Sequence, residues 1–320
     1  MNKLVSSVIV SLFISAVAFA LPPKNVILFI GDGMSTPQRM VGEEFSKIQR
    51  GKILRMNHLE YQATTRTCSS SSLITDSAAA ATAIACGVKT YNGAIGVDAE
   101  RNRAEPVSEF AAKTGRKVGI VTSVQLNHAT PAGFYGHRAS RGDGYGLALD
   151  LIDSGFDYFA GGELMGANNK KNSEYKGSAY DLAAKAGYTV IKRDAAKFRA
   201  LKPGASKVLF IAGETLPFAI DADENPDVPT LAELTAKGIE LLDNEKGFFM
   251  MVEGGMVDWA GHANDAASNL GEVLALDEDF AGEGNVVRAH LRLLRMVLDG
   301  ADLGLVFRIV GQDDLDRIKH

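Results

Sequence analysis

Several short stretches of the 320-residue chain gather residue types able to do chemistry. Thr75-Asp76-Ser77 stands directly before an alanine run, Ala78 to Ala83, broken only by Thr82. Alanine is the strongest helix former, Thr75 and Asp76 suit a helix start, and Gly87 suits its end. Ser77 therefore falls in a first helical turn, where unpaired N–H groups and the helix dipole favour an anion. A serine placed there can receive a phosphate, although the same letters also make an ordinary helix cap. Asp32 closes an apolar run between Gly31 and Gly33, which let the backbone approach whatever that carboxylate binds; a turn aspartate reads the same way. His128 and Thr130 are two apart and share a side if their segment is extended. Arg138 and Arg141 in HRASR suit either a phosphate or a solvated helix face. Glu253 ends another apolar run. Asp258 and His262 follow at i, i+4, which puts two metal ligands, or a surface pair, on one helical face.

Such residues need elements to hold them. Asn25-Val-Ile-Leu-Phe-Ile30 predicts a buried parallel strand that opens at its C-terminal edge, where open α/β sheets keep their sites. Residues 117–122, 187–191, 207–212 and 247–252 predict further strands, and 156–162 a short strand and turn. Helices are expected over 38–60, 104–115 and 230–243. Residues 166–178 are polar enough for a surface loop. No internal repeat is visible.

Hydrophobic residues make up 46% of the chain and the net charge is −5, with no basic stripe. This is the balance of a globular enzyme, not of a nucleic-acid binder. Residues 1–20 read as a secretory signal: Lys3, an apolar core, then Ala18-Phe19-Ala20 before the cut. The apolar run is short for a membrane span. The expected location is periplasmic or secreted, without a stable membrane anchor. Cys68 and Cys86 are taken as structural, and spacing leaves open whether they are bridged.

VILFIGDGM, ITDSAAAATA with GVKTYNGAIGVD, HATPAGFYGHRASR and GFFMMVEGGMVDWAGHAND occur in the order and with the spacing of the alkaline phosphatase family, which residues 24–280 resemble. The resemblance implies an α/β fold with a central, mostly parallel sheet, helices on both faces, and residues 142–206 as an excursion over the site. It implies hydrolysis of small phosphate monoesters with two Zn2+ and one Mg2+, in a protein that is commonly a homodimer. Ser77 would be the nucleophile that becomes phosphoserine, Arg141 the grip on two phosphate oxygens, and Asp76 its buttress. Asp32 would bridge one zinc and the third metal, and Thr130 and Glu253 would complete that third site. Asp258 and His262 would be ligands of the other zinc. His128 stands where many members have Asp, and Trp259 where some have Lys, which bears on the third metal's identity.

The end of the chain departs from the pattern. The family places an Asp-His pair and a later His beyond the second zinc motif, and no Asp-His dipeptide occurs here. Residues 1–280 hold 11 Arg and 17 Lys, whereas 281–320 hold five Arg and one Lys. That reversal fits a changed reading frame or a truncated gene model after about residue 280. The fold is then expected to lack its last strands and leave a sheet edge open. An impaired chain that binds phosphate or metal is the alternative expectation. A sulfatase is disfavoured, because AAAATA after Ser77 offers neither the proline nor the arginine of that signature.

Overall fold

The computed structural model describes residues 23–205, 207–281 and 304–310. The expected signal, residues 1–20, and most of the tail, with His290 and His320, lie outside them. Seven strands among the described residues form one sheet: β1 (Asn25–Gly31), β2 (Lys117–Gln125), β3 (Tyr158–Gly162), β4 (Thr189–Lys192), β5 (Val208–Ile211), β6 (Phe248–Gly254) and β7 (Gly304–Val310). Their order is β4-β5-β3-β2-β6-β1-β7. The first six strands pair in parallel, and β7 lies antiparallel along the whole of β1.

Parallel neighbours require crossover connections, which put helices on the sheet faces. These are α1 (Thr36–Arg50), α2 (Ser77–Cys86), α3 (Val107–Lys113), α4 (Ala129–Ala132), α5 (Gly144–Ser154), α6 (Ala179–Lys185), α7 (Ala195–Arg199), α8 (Leu231–Leu242), α9 (Met256–His262) and α10 (Ala266–Ala281). Side chains alternate across a strand. Leu28 and Ile30 of β1 therefore join a core with Ile84 of α2 and Leu147 of α5. Ile27 and Phe29 join a second core with Leu234 of α8 and Val273 of α10. Burial on both faces is why β1 and β6 read as unbroken apolar runs. Each fully buried side chain of this size contributes about 1.5–3 kcal/mol, so the strand ends are fixed points.

The β1 edge, expected to be open, is covered by one tail strand, β7; GLVFRIV is β-branched enough to pair. Within residues 142–206, β3 and β4 lie in the sheet, and the stretch between β3 and α6 is a long loop. The first helix stops at Arg50, where Gly51 takes a left-handed φ of 63°. Cys68 and Cys86 are both free. No helix among the described residues is long and apolar enough to cross a membrane.

Candidate active site

β1 delivers Asp32 to the C-terminal edge of the sheet, where the Asp32 backbone N–H donates to Gly254 O at 3.3 Å and locks it to the end of β6. Gly33 has φ +62°, and a Cβ there would lie 2.5 Å from Asp258 Oδ1. Only glycine lets α9 come this close to Asp32.

Ser77 is the first residue of α2, and its Oγ donates to Asp32 Oδ2 at 3.0 Å and Oδ1 at 3.2 Å. Asp76 is the cap: its Oδ1 accepts from Ala79 N at 3.0 Å. Its Oδ2 accepts from Gly93 N at 3.0 Å and from Arg141 Nη1 at 3.2 Å. Gly87, left-handed at φ 70°, ends the helix. The alanines are there for close packing. Residues 78–85 are all buried, and a Cβ on Gly133, just past α4, would sit 2.7 Å from Ala81 Cβ.

The His128–Thr130 segment is a helical turn, not extended, with His128 as the cap of α4. Pro131 is tolerated because it falls in the first turn, where its missing N–H has no partner to lose. His128 and Thr130 still reach one place. Asp32, His128 and Glu253 each offer a ligand atom, and those atoms lie within 4.8 Å of one another. His128 Nδ1, Thr130 Oγ1 and Glu253 Oε1 are buried without a hydrogen-bond partner. Thr122 Oγ1 donates to the other Glu253 oxygen, Oε2. Thr130 favours the charged form of Glu253 by proximity, short of hydrogen-bond geometry.

Charge is concentrated here. Burial, then the neighbouring Asp258, pushes Asp32 above the usual carboxylate range, against the pull of the Ser77 hydrogen bond. Burial, then Asp32, pushes Glu253 up in the same way. Burial, then Arg141, draws His128 down to about 4, so its ring is a neutral imidazole at physiological pH. Arg141 Nη2 donates to His128 Nε2 at 3.0 Å, and the Trp259 ring meets His128 edge-on at 6.0 Å.

Of the two candidate arginines, only Arg141 lies among these groups. Arg138 is held by Asp150, Nε to Oδ2 at 2.9 Å and Nη2 to Oδ1 at 2.6 Å, and by Glu174 at 2.7 Å. Asp258 and His262 share one face of α9, with Nε2 and Oδ2 3.4 Å apart, but the His262 side chain is 81% exposed. Sequence reasoning missed Thr122, Gly93 and Asn127. Asn127 pins the Gly144 and Met165 carbonyls at 2.7 and 2.9 Å. Thr122 had a signal, as the lone hydroxyl at the end of the run KVGIVT. Gly93 and Asn127 act through contacts distant in sequence.

Fold and constellation together define a class: an open α/β sheet whose central strand ends gather a helix-start serine, a carboxylate-held arginine and a carboxylate–imidazole cluster. The alkaline phosphatase family profile matches residues 23–149 and 180–314, past the point where the motifs end. Alkaline phosphatase 3 of Bacillus subtilis is 35% identical over 266 residues, which cover 80% of this chain and 55% of that protein. The alkaline phosphatase of the Antarctic bacterium TAB5 superposes with TM-score 0.70 at 30% identity, covering 81% of this chain and 73% of that one. A histidine-to-aspartate variant of the TAB5 protein, with Mg bound in its M3 site, superposes with TM-score 0.69, also at 30% identity, over 82% of this chain and 72% of that one. The chain belongs to the alkaline phosphatase family. It spans about half the length of the curated relatives it matches.

Proposed function

We propose that the chain hydrolyses phosphate monoesters through a phosphoserine at Ser77, with divalent metal seated among its strand-end carboxylates. The observation that carries this reading is a convergence. Ser77 Oγ donates to Asp32, while Arg141, bound to the adjoining Asp76 and to His128, lies beside it.

The cluster suits a cation. Mutually repelling carboxylates and the orphaned Thr130 and Glu253 oxygens would gain from one positive ion, and His128 could offer a lone pair once Arg141 releases it. Asp32, His128, Thr130 and Glu253 would hold it, a set of hard oxygens plus one imidazole that fits magnesium or a somewhat softer ion. Asp258 and His262 would serve a zinc ion. Bound zinc and magnesium supply Lewis-acid stabilisation of the serine oxygen, the leaving oxygen and the phosphoryl charge.

The rest of the chemistry belongs to the chain. Asp32 orients the Ser77 hydroxyl by accepting its proton in a hydrogen bond. The N-terminus of α2 attracts the phosphate. Arg141 exchanges its bond to His128 for phosphate oxygens, which its planar fork matches, and Asp76 keeps the fork in place. Ser77 Oγ then attacks phosphorus in line with the departing alkoxide, and water later cleaves the phosphoserine. We place the protein in the periplasm or outside the cell on the strength of residues 1–20, acting on small phosphate monoesters as a homodimer.

A second reading, a chain that binds phosphate or metal with little turnover, is favoured by one observation. Asp32–His128–Glu253 is the one three-residue metal-ligating group among the described residues. His58 and His137 are engaged with Glu43 and Glu109. Ser77 has Asp32 as its one carboxylate hydrogen-bond partner.

The test is turnover of an aryl phosphate by zinc- and magnesium-loaded protein, with acid trapping of phosphoprotein, in wild type and Ser77→Ala. Turnover and trapped phosphate that both vanish in the variant support the first reading. Phosphate binding without turnover selects the second.

A further inference from the structure

We propose that His137 is a doubly donating imidazolium, and that it is the positioning residue that fixes the loop carrying Arg141. His137 has no contact with Ser77 or the metal cluster. Its ring sits between two acceptors: Nδ1 is 2.9 Å from Gly96 O, and Nε2 is 2.7 Å from Glu109 Oε1. A carbonyl oxygen only accepts. Glu109 also accepts from Arg103 Nη2 at 2.7 and 2.6 Å, so both of its oxygens are already acceptors. Both ring nitrogens must donate, and only the protonated ring does so. A neutral ring would turn one nitrogen lone pair against an oxygen lone pair.

The surroundings favour that charge. Glu109 of α3 and Arg103 before it lie on one side of the ring. Asp150 of α5 accepts from the His137 backbone N–H at 2.9 Å. Arg138, next in the chain, is shared by Asp150, Asp143 and Glu174. Cys86 of α2 lies near Glu109 and Arg103 as a half-buried thiol pushed up to about 12, hence uncharged. Four carboxylates thus face two guanidiniums, and the imidazolium offsets part of the excess.

The ring reaches Arg141 through a short backbone strip. Gly96 takes φ +58°, and a Cβ there would lie 1.9 Å from Gly136 O and 2.8 Å from His137 Nδ1, so the contact requires glycine. One residue back, Ile95 and Arg138 exchange backbone hydrogen bonds at 2.9 and 2.8 Å. At the far end, Gly93 O accepts from the Arg141 backbone N–H at 2.7 Å, and Gly93 N donates to Asp76. His137 therefore clamps one end of the strip 93–96 while the other end sets both Arg141 and its carboxylate partner. The clamp is complete while the ring is protonated.

The consequence for phosphate rests on Arg141 being the phosphate grip; the protonation and the clamp do not. The test is nitrogen NMR on the full chain labelled at histidine, with His137 assigned by its loss in His137→Gln. Both ring nitrogens should carry a proton. Glu109→Gln, the milder change, should leave one nitrogen bare. His137→Gln should also speed amide exchange at Arg141 by roughly tenfold and weaken inorganic phosphate binding by roughly tenfold. A bare ring nitrogen in wild type, or Arg141 exchange unmoved in His137→Gln, overturns the proposal. Phosphate binding indifferent to Arg141→Ala would instead remove the phosphate grip, leaving the NMR and exchange results to decide the clamp.

Discussion

Two parts of the site are built on different principles. Asp32 and Glu253 stand buried at the ends of β1 and β6, with the half-buried His128 and the buried Thr130 just past the end of β2. Asp258 and His262 stand a helical turn apart on α9, with His262 almost wholly in solvent. The first group keeps like charges together at a cost that the apolar strands beneath them support. The second is an exposed i, i+4 pair of a kind worth at most about 1 kcal/mol. A sheet edge can hold a repulsive cluster ready for a cation, whereas a short helix offers ligands that order only when something binds them.

The strongest way to break this contrast is Ser77→Ala. It should abolish trapped phosphoprotein and lower aryl phosphate turnover by roughly three or more orders of magnitude. Undiminished turnover would move the chemistry elsewhere.

Glu253→Gln tests the buried group itself. Because the folded state raises this carboxylate, metal-free protein should lose stability as pH rises from the ordinary carboxylate range through the raised value. At about pH 8, magnesium at roughly a hundred times its Kd should then add about 2.7 kcal/mol, seen as a Tm rise of several degrees. The substitution should raise the metal-free Tm and erase the magnesium response. A response that survives it would place the ion away from the cluster.

The two arginines sharpen the division of labour. Arg141→Ala should cost roughly 1.5–3 kcal/mol of inorganic phosphate affinity by calorimetry, as loss of a charged hydrogen bond does. Arg138→Ala should instead lower Tm while sparing affinity, since it strips a cation from Asp150 and Glu174. The reverse pattern would exchange their roles. His262→Ala marks the small end: without metal, its Tm should change by no more than about 0.5 kcal/mol can produce, and a larger loss would show α9 to be more ordered by this pair than its exposure suggests.

Much of this was legible in the chain. NVILFIG and GFFMMVEG announce doubly covered strands, and Asp32 and Glu253 follow directly from where those runs end. Asp76, Ser77 and Gly87 spell a helix start and stop, and both ends fell where their chemistry requires. What stayed hidden depends on contacts across the fold. Gly93 holds Asp76 from 17 residues away and Thr122 holds Glu253 from 131. β7 stayed hidden because a short stretch such as GLVFRIV, interrupted by Arg308, cannot be told from helix by periodicity alone.

The place of β1 in the sheet sets a timetable. It is the first strand to be synthesised, yet its parallel partner β6 begins at Phe248, 217 residues after β1 ends at Gly31. At roughly 5–20 residues per second, the ribosome needs about 10–40 s to supply that partner. Throughout that interval NVILFIG is an unpaired, uncharged, β-prone segment, the kind that recruits another chain's edge. A cell making this protein must keep its earliest strand apart from its neighbours until nearly the whole sheet has been delivered.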